Sequence, residues 1–362
     1  MRLFSRMFLT AALLLAPCSA AAEPSADERL AIACPSRAGP VDAQGFVTIG
    51  GIEQWVTVRG SACANPVLLF VHGGPGNPMS PFSANVFAGW EQGFTIVQWD
   101  QRGAGRTFGR NRAVADAPLS MERMTQDGVE LAAYLAPRLG QRRVVLIGTS
   151  WGSALGVHMA LARPDLFHAY VGVSQLVHYR ANQEGSYRSL LARARAADDS
   201  ETVAAIATLG PPPWTNPRNF GILRRAIRRY ERRATDAAPD GWWIPAPLYA
   251  TPEAAAAYQA GEEYSFLQFV GAAGDGLFSR LDLPALGRRF AIPVFLVQGS
   301  EDLLTTPEVS RRYFEYLTAP VKSFVLVPRA GHDPNPAMLE AVRDILVRQR
   351  AAWLAARGDA AN

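Results

Sequence analysis

The apolar run Val144-Val145-Leu146-Ile147 leads directly into Gly148-Thr149-Ser150-Trp151-Gly152, and a helix-like stretch follows. A short apolar run bounded by glycine reads as a buried strand. Gly-x-Ser-x-Gly between a strand and a helix is the pattern of a nucleophile elbow. The two glycines permit a sharp turn in which a Cβ would collide with its neighbours. Such a turn leaves the Ser150 hydroxyl exposed at the carboxyl end of the strand, with the Trp151 amide facing the same space. The arrangement suits a serine nucleophile. Taken alone, the pentapeptide also fits a glycine-rich turn without chemistry, so the rest of the chain must decide.

Upstream, Pro66-Val67-Leu68-Leu69-Phe70-Val71 is a second strand-like run, and it ends in His72-Gly73-Gly74-Pro75-Gly76. This loop offers accessible backbone N–H groups rather than side chains. Two fixed donors aimed at a developing oxyanion contribute about 3–4 kcal/mol each in comparable sites. Downstream, a nucleophilic serine needs a base, and the base needs an orienting group. The five histidines are His72, His158, His168, His178 and His332. His72 precedes the glycines, where it can hold the loop. His158 falls in the helix expected after the elbow, and His168 and His178 flank a strand-like run, Ala169 to Ser174. His332 follows the run Ser323-Phe324-Val325-Leu326-Val327 in a loop, the place for a base. The strand-like run Ile292 to Gln298 leads to Gly299-Ser300-Glu301-Asp302. Asp302 is the expected acid, with Glu301 as its competitor.

His72-Gly73-Gly74-Pro75-Gly76, Trp99-Asp100-Gln101-Arg102-Gly103-Ala104-Gly105-Arg106 and Gly148-Thr149-Ser150-Trp151-Gly152 together resemble the proline iminopeptidase (prolyl aminopeptidase) family of α/β-hydrolases. The resemblance covers the chain from about Phe46 to Ser174 and again from about Ile292 onward. It implies the α/β-hydrolase fold, a mostly parallel, doubly wound sheet with an inserted helical cap. The order Ser150, Asp302, His332 is that fold's order of nucleophile, acid and base. The oxyanion donors implied are the N–H of Trp151 and that of Gly73 or Gly74. The implied activity is release of an N-terminal proline, or a similar residue, through an acyl-enzyme. Thr107 stands where the family commonly has serine. The Asp100-Gln101-Arg102 loop reads as scaffold, held by charge-assisted hydrogen bonds.

The expected organisation is a signal peptide over residues 1–22, an N-terminal segment over 23–45, a first core part over 46–175, a helical cap over 176–285 and a second core part over 286–362. Arg2 and Arg6, the apolar run Met7 to Ala16 and the small residues Ser19-Ala20-Ala21-Ala22 form the three regions of a secretory signal. The run is too short to span a membrane stably. The expected location is therefore outside the cytoplasm, in a bacterial periplasm or secreted. Export permits a disulfide between the two remaining cysteines, Cys34 and Cys63, though free thiols stay open. Loss of Arg2 and Arg6 lowers the formal charge from +4 to +2. That balance gives no reason to expect nucleic acid as a partner. The cluster Arg224-Arg225, Arg228-Arg229 and Arg232-Arg233, interleaved with Glu231, reads as a solvated helix face.

An aminopeptidase must also bind a free α-ammonium, and a buried carboxylate is its natural partner. The family resemblance places such acids in the cap. Glu184 is the first candidate, followed by Glu262 and Glu263. Among the cap aromatics, Tyr187, Trp214, Trp242, Trp243, Tyr264, Phe266 and Phe269 either line an apolar pocket or pack the cap's own core. No cofactor and no metal is expected. The partner expected is a small peptide or small acyl substrate. A carboxylesterase or lactonase with the same triad, or a binding protein on a hydrolase scaffold, are the alternatives.

Overall fold

The computed structural model describes residues 28–112 and 118–355. The expected signal peptide lies outside the described residues. Among these, eight strands form one sheet: β1 Val41–Ile49, β2 Ile52–Gly60, β3 Val67–Val71, β4 Thr95–Trp99, β5 Val144–Thr149, β6 Phe167–Val173, β7 Val294–Gly299 and β8 Lys322–Val327. Their spatial order is β1-β2-β4-β3-β5-β6-β7-β8. β1 and β2 form an antiparallel pair and β2 runs antiparallel to β4, whereas β3 through β8 are mutually parallel. The helices are α1 Ser83–Val86, α2 Gly105–Arg110, α3 Met121–Arg138, α4 Trp151–Ala162, α5 Tyr179–Ala196, α6 Ser200–Ala207, α7 Pro217–Ala234, α8 Pro252–Val270, α9 Pro307–Tyr316 and α10 Pro336–Ala355.

The parallel strands are apolar throughout because both faces are covered. Alternate side chains of one strand point to opposite faces. Leu69, Val71 and Leu146 therefore pack with α3 and α4 through Leu131, Leu135 and Leu155. Leu68, Phe70, Val145 and Ile147 pack instead with α10 through Val342, Ile345 and Leu346. Parallel strands also end at one edge of the sheet. His72, Ser150, Asp302 and His332 all lie just beyond strand carboxyl ends, so residues far apart in sequence converge there.

α5 to α8 lie between β6 and β7. α5, α6 and α7 share a small core of their own, built from Leu190, Ile206, Trp214, Leu223 and Ile227, and Leu303 from the sheet edge joins it. That leucine follows Asp302 directly, so the cap is packed onto the loop that carries the expected acid.

Cys34 and Cys63 are joined in a disulfide with Cα atoms 5.8 Å apart. It ties the N-terminal segment to the loop before β3. Cross-linking across a sequence separation of 29 residues removes loop entropy from the unfolded chain, an effect of about 3–4 kcal/mol for a loop of this size. Replacing both cysteines with serine is expected to lower stability by that amount in chemical denaturation. An unchanged midpoint would show that the bond contributes nothing.

Candidate active site

Ser150 sits between β5 and α4 with φ 51° and ψ −117°. A Cβ on Gly152 would come within 2.0 Å of the Val71 carbonyl oxygen, and one on Gly148 within 2.3 Å of the Gly152 carbonyl oxygen. Glycine at 152 therefore lets α4 pack on β3, and glycine at 148 lets the turn close against α4.

His332 Nε2 lies 2.9 Å from Ser150 Oγ. On the other side of the ring, His332 Nδ1 lies 3.1 Å from Asp302 Oδ2 and 3.3 Å from Oδ1. Asp302 is fully buried and held by four further donors. The Leu304 and Thr305 amides donate to Oδ1 at 2.9 and 2.8 Å. Gln298 Nε2 and Thr305 Oγ1 donate to Oδ2 at 2.8 and 2.7 Å. Glu301 points elsewhere and pairs with Arg193 at 2.6 Å.

Burial acts on both titrating partners, but their mutual attraction wins. Desolvation alone would raise the Asp302 pKa; the charge of His332 and the hydrogen bonds from His332 and Thr305 hold it below the usual carboxylate value. Desolvation alone would lower the His332 pKa; the charge and hydrogen bond of Asp302 lift it above the ordinary histidine value. An ionised Asp302 thus fixes Nδ1–H as the donor and leaves Nε2 to accept the Ser150 proton.

The glycine loop after β3 closes over the elbow. A Cβ on Gly73 would stand 3.1 Å from Ser150 Cβ, and Gly74 has φ 123°. His72 is buried, and desolvation drives its pKa down to about 4, so it is neutral. The Gln101 amide donates to His72 Nε2 at 3.2 Å. Nδ1 therefore carries the proton, which it donates to the Gly73 carbonyl at 2.8 Å. Gln101 Nε2 in turn donates to the His72 carbonyl at 2.9 Å, and Trp151 Nε1 donates to Gln101 Oε1 at 3.1 Å. The two expected oxyanion elements are thus tied to each other through Gln101. Asp100 accepts from Ser80 Oγ and the Arg106 amide, and burial raises its pKa to about 6. Arg102 pairs with Asp127 at 2.8 Å. All three residues of that loop act within the scaffold.

Ser150, His332, Gly73 and Gly74 line a cleft of 1670 Å³ roofed by cap residues. Trp214, Trp243 and Phe266 belong to its lining. Of the other aromatics, Phe269 packs edge-on against Trp151 at 4.3 Å and Tyr264 stacks on Phe108 at 5.1 Å. Glu262 and Glu263 line the cleft from α8 and are exposed.

Two readings of the cap need correction. Glu184 is not among the residues that line the cleft; its α5 neighbours Asn182, Gln183 and Ser186 are. Successive residues are about 100° apart around a helix, so Glu184 turns aside when Gln183 faces in. The arginine-rich stretch of α7 is not wholly a solvated face either. Glu231 is 5 % exposed and lines the cleft. Its Oε1 accepts from the Leu303 amide at 2.8 Å and its Oε2 from the His332 amide at 3.4 Å. Burial, reinforced by the charge of Asp302, raises its pKa to about 7. The signal was present in the sequence: Leu223, Ile227 and Glu231 share one helical stripe, so this carboxylate continues an apolar face.

Among the described residues, no group of three or more His, Cys, Asp or Glu side chains could hold a metal ion. None of their helices is long and apolar enough to cross a membrane.

Residues 66–336 match the family model for the α/β-hydrolase fold. The chain is 27% identical over 303 residues to the probable aminopeptidase YbaC of Bacillus subtilis, covering 80% of this chain and 90% of that protein. It is 28% identical over 294 residues to a probable proline iminopeptidase of Streptomyces coelicolor, covering 77% and 87%. Among solved structures, a proline iminopeptidase of Mycobacterium smegmatis superposes with a TM-score of 0.58 at 20% identity, covering 88% of this chain and 100% of that one. With a parallel sheet, a strand–elbow–helix unit and a family model that spans most of its length, this chain belongs to the α/β-hydrolase family.

Proposed function

We propose that this protein is an exported serine aminopeptidase that releases N-terminal proline, or a similar residue, from peptides. The observation that carries the reading is the buried Glu231 carboxylate, which lines the same cleft as Ser150 and His332. A carboxylate has room for about four hydrogen bonds, so the two backbone amides leave Glu231 capacity for a substrate ammonium. A neutral acyl substrate would leave that remaining capacity unused beside the triad. The names of the relatives in Bacillus subtilis and Streptomyces coelicolor point to the same activity. The Cys34–Cys63 bond and the N-terminal signal pattern support export to an oxidising compartment.

In this reading, His332 Nε2 takes the Ser150 proton as Oγ attacks the substrate carbonyl. Asp302 stabilises the imidazolium that forms. The amides of Trp151 and of Gly73 or Gly74 receive the oxyanion. His332 then protonates the leaving amine, and water, activated by the same ring, releases the acyl group. Glu231 holds the α-ammonium, and Glu262 and Glu263 set a negative potential along the cleft.

The test compares proline β-naphthylamide, its N-blocked analogue and a p-nitrophenyl ester as substrates. Cleavage of the free-amine arylamide but not the blocked one is expected. Ester cleavage alone would move the protein to an esterase. The pH profile adds a second readout. Ester hydrolysis needs only neutral His332, so its kcat/KM falls with unit slope as pH drops through the raised histidine pKa. The free-amine substrate also needs ionised Glu231, whose pKa is about 7, so its acid limb steepens toward a slope of two. Glu231→Gln should return that limb to unit slope and raise KM about tenfold or more. An unchanged KM and slope would remove Glu231 from amine binding.

A further inference from the structure

α5 and α7 pack together through Leu190 and Leu223. Toward the cleft, the same face of α5 turns polar. Gln183 and Ser186 precede Leu190 by seven and four positions and so continue its stripe. Gln183 Oε1 and Nε2, Ser186 Oγ and the neighbouring Asn182 Nδ2 are buried and have no hydrogen-bond partner among the described residues. On α7, Arg224 presents Nη1 in the same condition, while its Nη2 pairs with Asp333 at 3.1 Å. All four side chains line the cleft that holds Ser150. A buried polar group without a partner carries a desolvation cost that a ligand supplying the missing bonds removes.

The chemistry of these atoms selects the ligand. Two amide NH₂ groups, a hydroxyl and a guanidinium N–H make the wall rich in donors, with Gln183 Oε1 as the one atom confined to accepting. Its complement is an anionic group rich in acceptors and adjoining a single N–H. A peptide carboxylate with its preceding amide has that pattern, and arginine suits the carboxylate best. The position fits the reaction. Arg224 is paired with the residue that follows His332, and His332 must protonate the leaving amine. With Glu231 taking the ammonium, a carboxylate held by Arg224 belongs to the other end of the peptide, the leaving segment. The span fits as well. Arg224 and Glu231 are seven residues apart on α7, about 10 Å along the helix. An extended peptide covers about 3.3–3.6 Å per residue, and a hydrogen bond at each end adds about 2.9 Å, so a short peptide of two or three residues bridges that interval.

We propose that Asn182, Gln183, Ser186 and Arg224 form a subsite for the C-terminal carboxylate of a short leaving segment, which makes free di- and tripeptides the preferred substrates. This rests on the aminopeptidase reading. The wall then discriminates by charge at the far end of the substrate, while Glu231 reads the near end.

The test measures kcat/KM of the full chain for prolyl-alanine, prolyl-alanine amide and proline β-naphthylamide. A preference of tenfold or more for the free acid over the amide is expected. In Arg224→Gln and in Gln183→Leu, that ratio should fall below about threefold, because the ratio cancels any common loss of turnover. Equal rates on acid and amide in the unaltered chain would overturn the subsite, as would variants that keep the full preference. The naphthylamide separates the two failures. Its cleavage without a carboxylate preference removes the subsite alone; its resistance, with the dipeptide also intact, removes the aminopeptidase reading and the subsite together.

Discussion

Ser150→Ala is expected to lower kcat by about 10⁵- to 10⁶-fold on any substrate the protein hydrolyses. In the proposed mechanism the reason is covalent: without Oγ no acyl-enzyme forms, and His332 Nε2 loses the proton donor that lies 2.9 Å away. Residual turnover would come only from oxyanion stabilisation and substrate positioning, which the substitution leaves in place. The fold should tolerate the change, since alanine keeps the Cβ that already occupies the φ 51° conformation. Stability should stay within about 1 kcal/mol. Single-turnover assays on the purified variant decide the matter. Activity retained within tenfold would dismiss Ser150 as nucleophile, and with it the triad.

Asp302→Asn is expected to cost about 10⁴-fold in kcat with little change in the backbone. Both carboxylate oxygens of Asp302 accept from several donors. An asparagine can satisfy the two backbone amides only by keeping its oxygen at the Oδ1 position. Its NH₂ then faces Gln298 Nε2 and His332 Nδ1. A ring nitrogen facing that NH₂ must accept, which places the histidine proton on Nε2. That tautomer cannot take the Ser150 proton. The variant should also lose the source of the raised His332 pKa, so the acid limb of the ester profile should shift to lower pH. A variant with near-normal kcat and an unmoved limb would transfer the orienting role to another residue.

The elbow shows how much one short stretch can determine. Its strand, glycines and helix follow from sterics between residues four apart, as the contact between Gly148 and Gly152 shows. The parallel strands were legible for a similar reason, because covering both faces leaves apolar runs such as Val67–Val71. From these the expected placement of Ser150, Asp302 and His332 at strand ends followed, since parallel strands finish at one edge. The cap is where local pattern was insufficient. α5 presents Gln183 and turns Glu184 away, and a stretch rich in arginine on α7 buries Glu231 against the Leu303 and His332 amides. The Cys34–Cys63 pairing likewise depends on how the N-terminal segment runs beside β1, where the Leu30 amide donates to the Phe46 carbonyl.

The sequence by itself determined the turn at Ser150, the parallel strands and the chain order of the candidate triad, because each rests on sterics or periodicity within a few residues. Only the tertiary structure decided which cap side chains enter the cleft. Helical phase is set by the whole packed face, here Leu190, Leu223, Ile227 and Leu303 together, and a carboxylate's burial depends on amides more than seventy residues away.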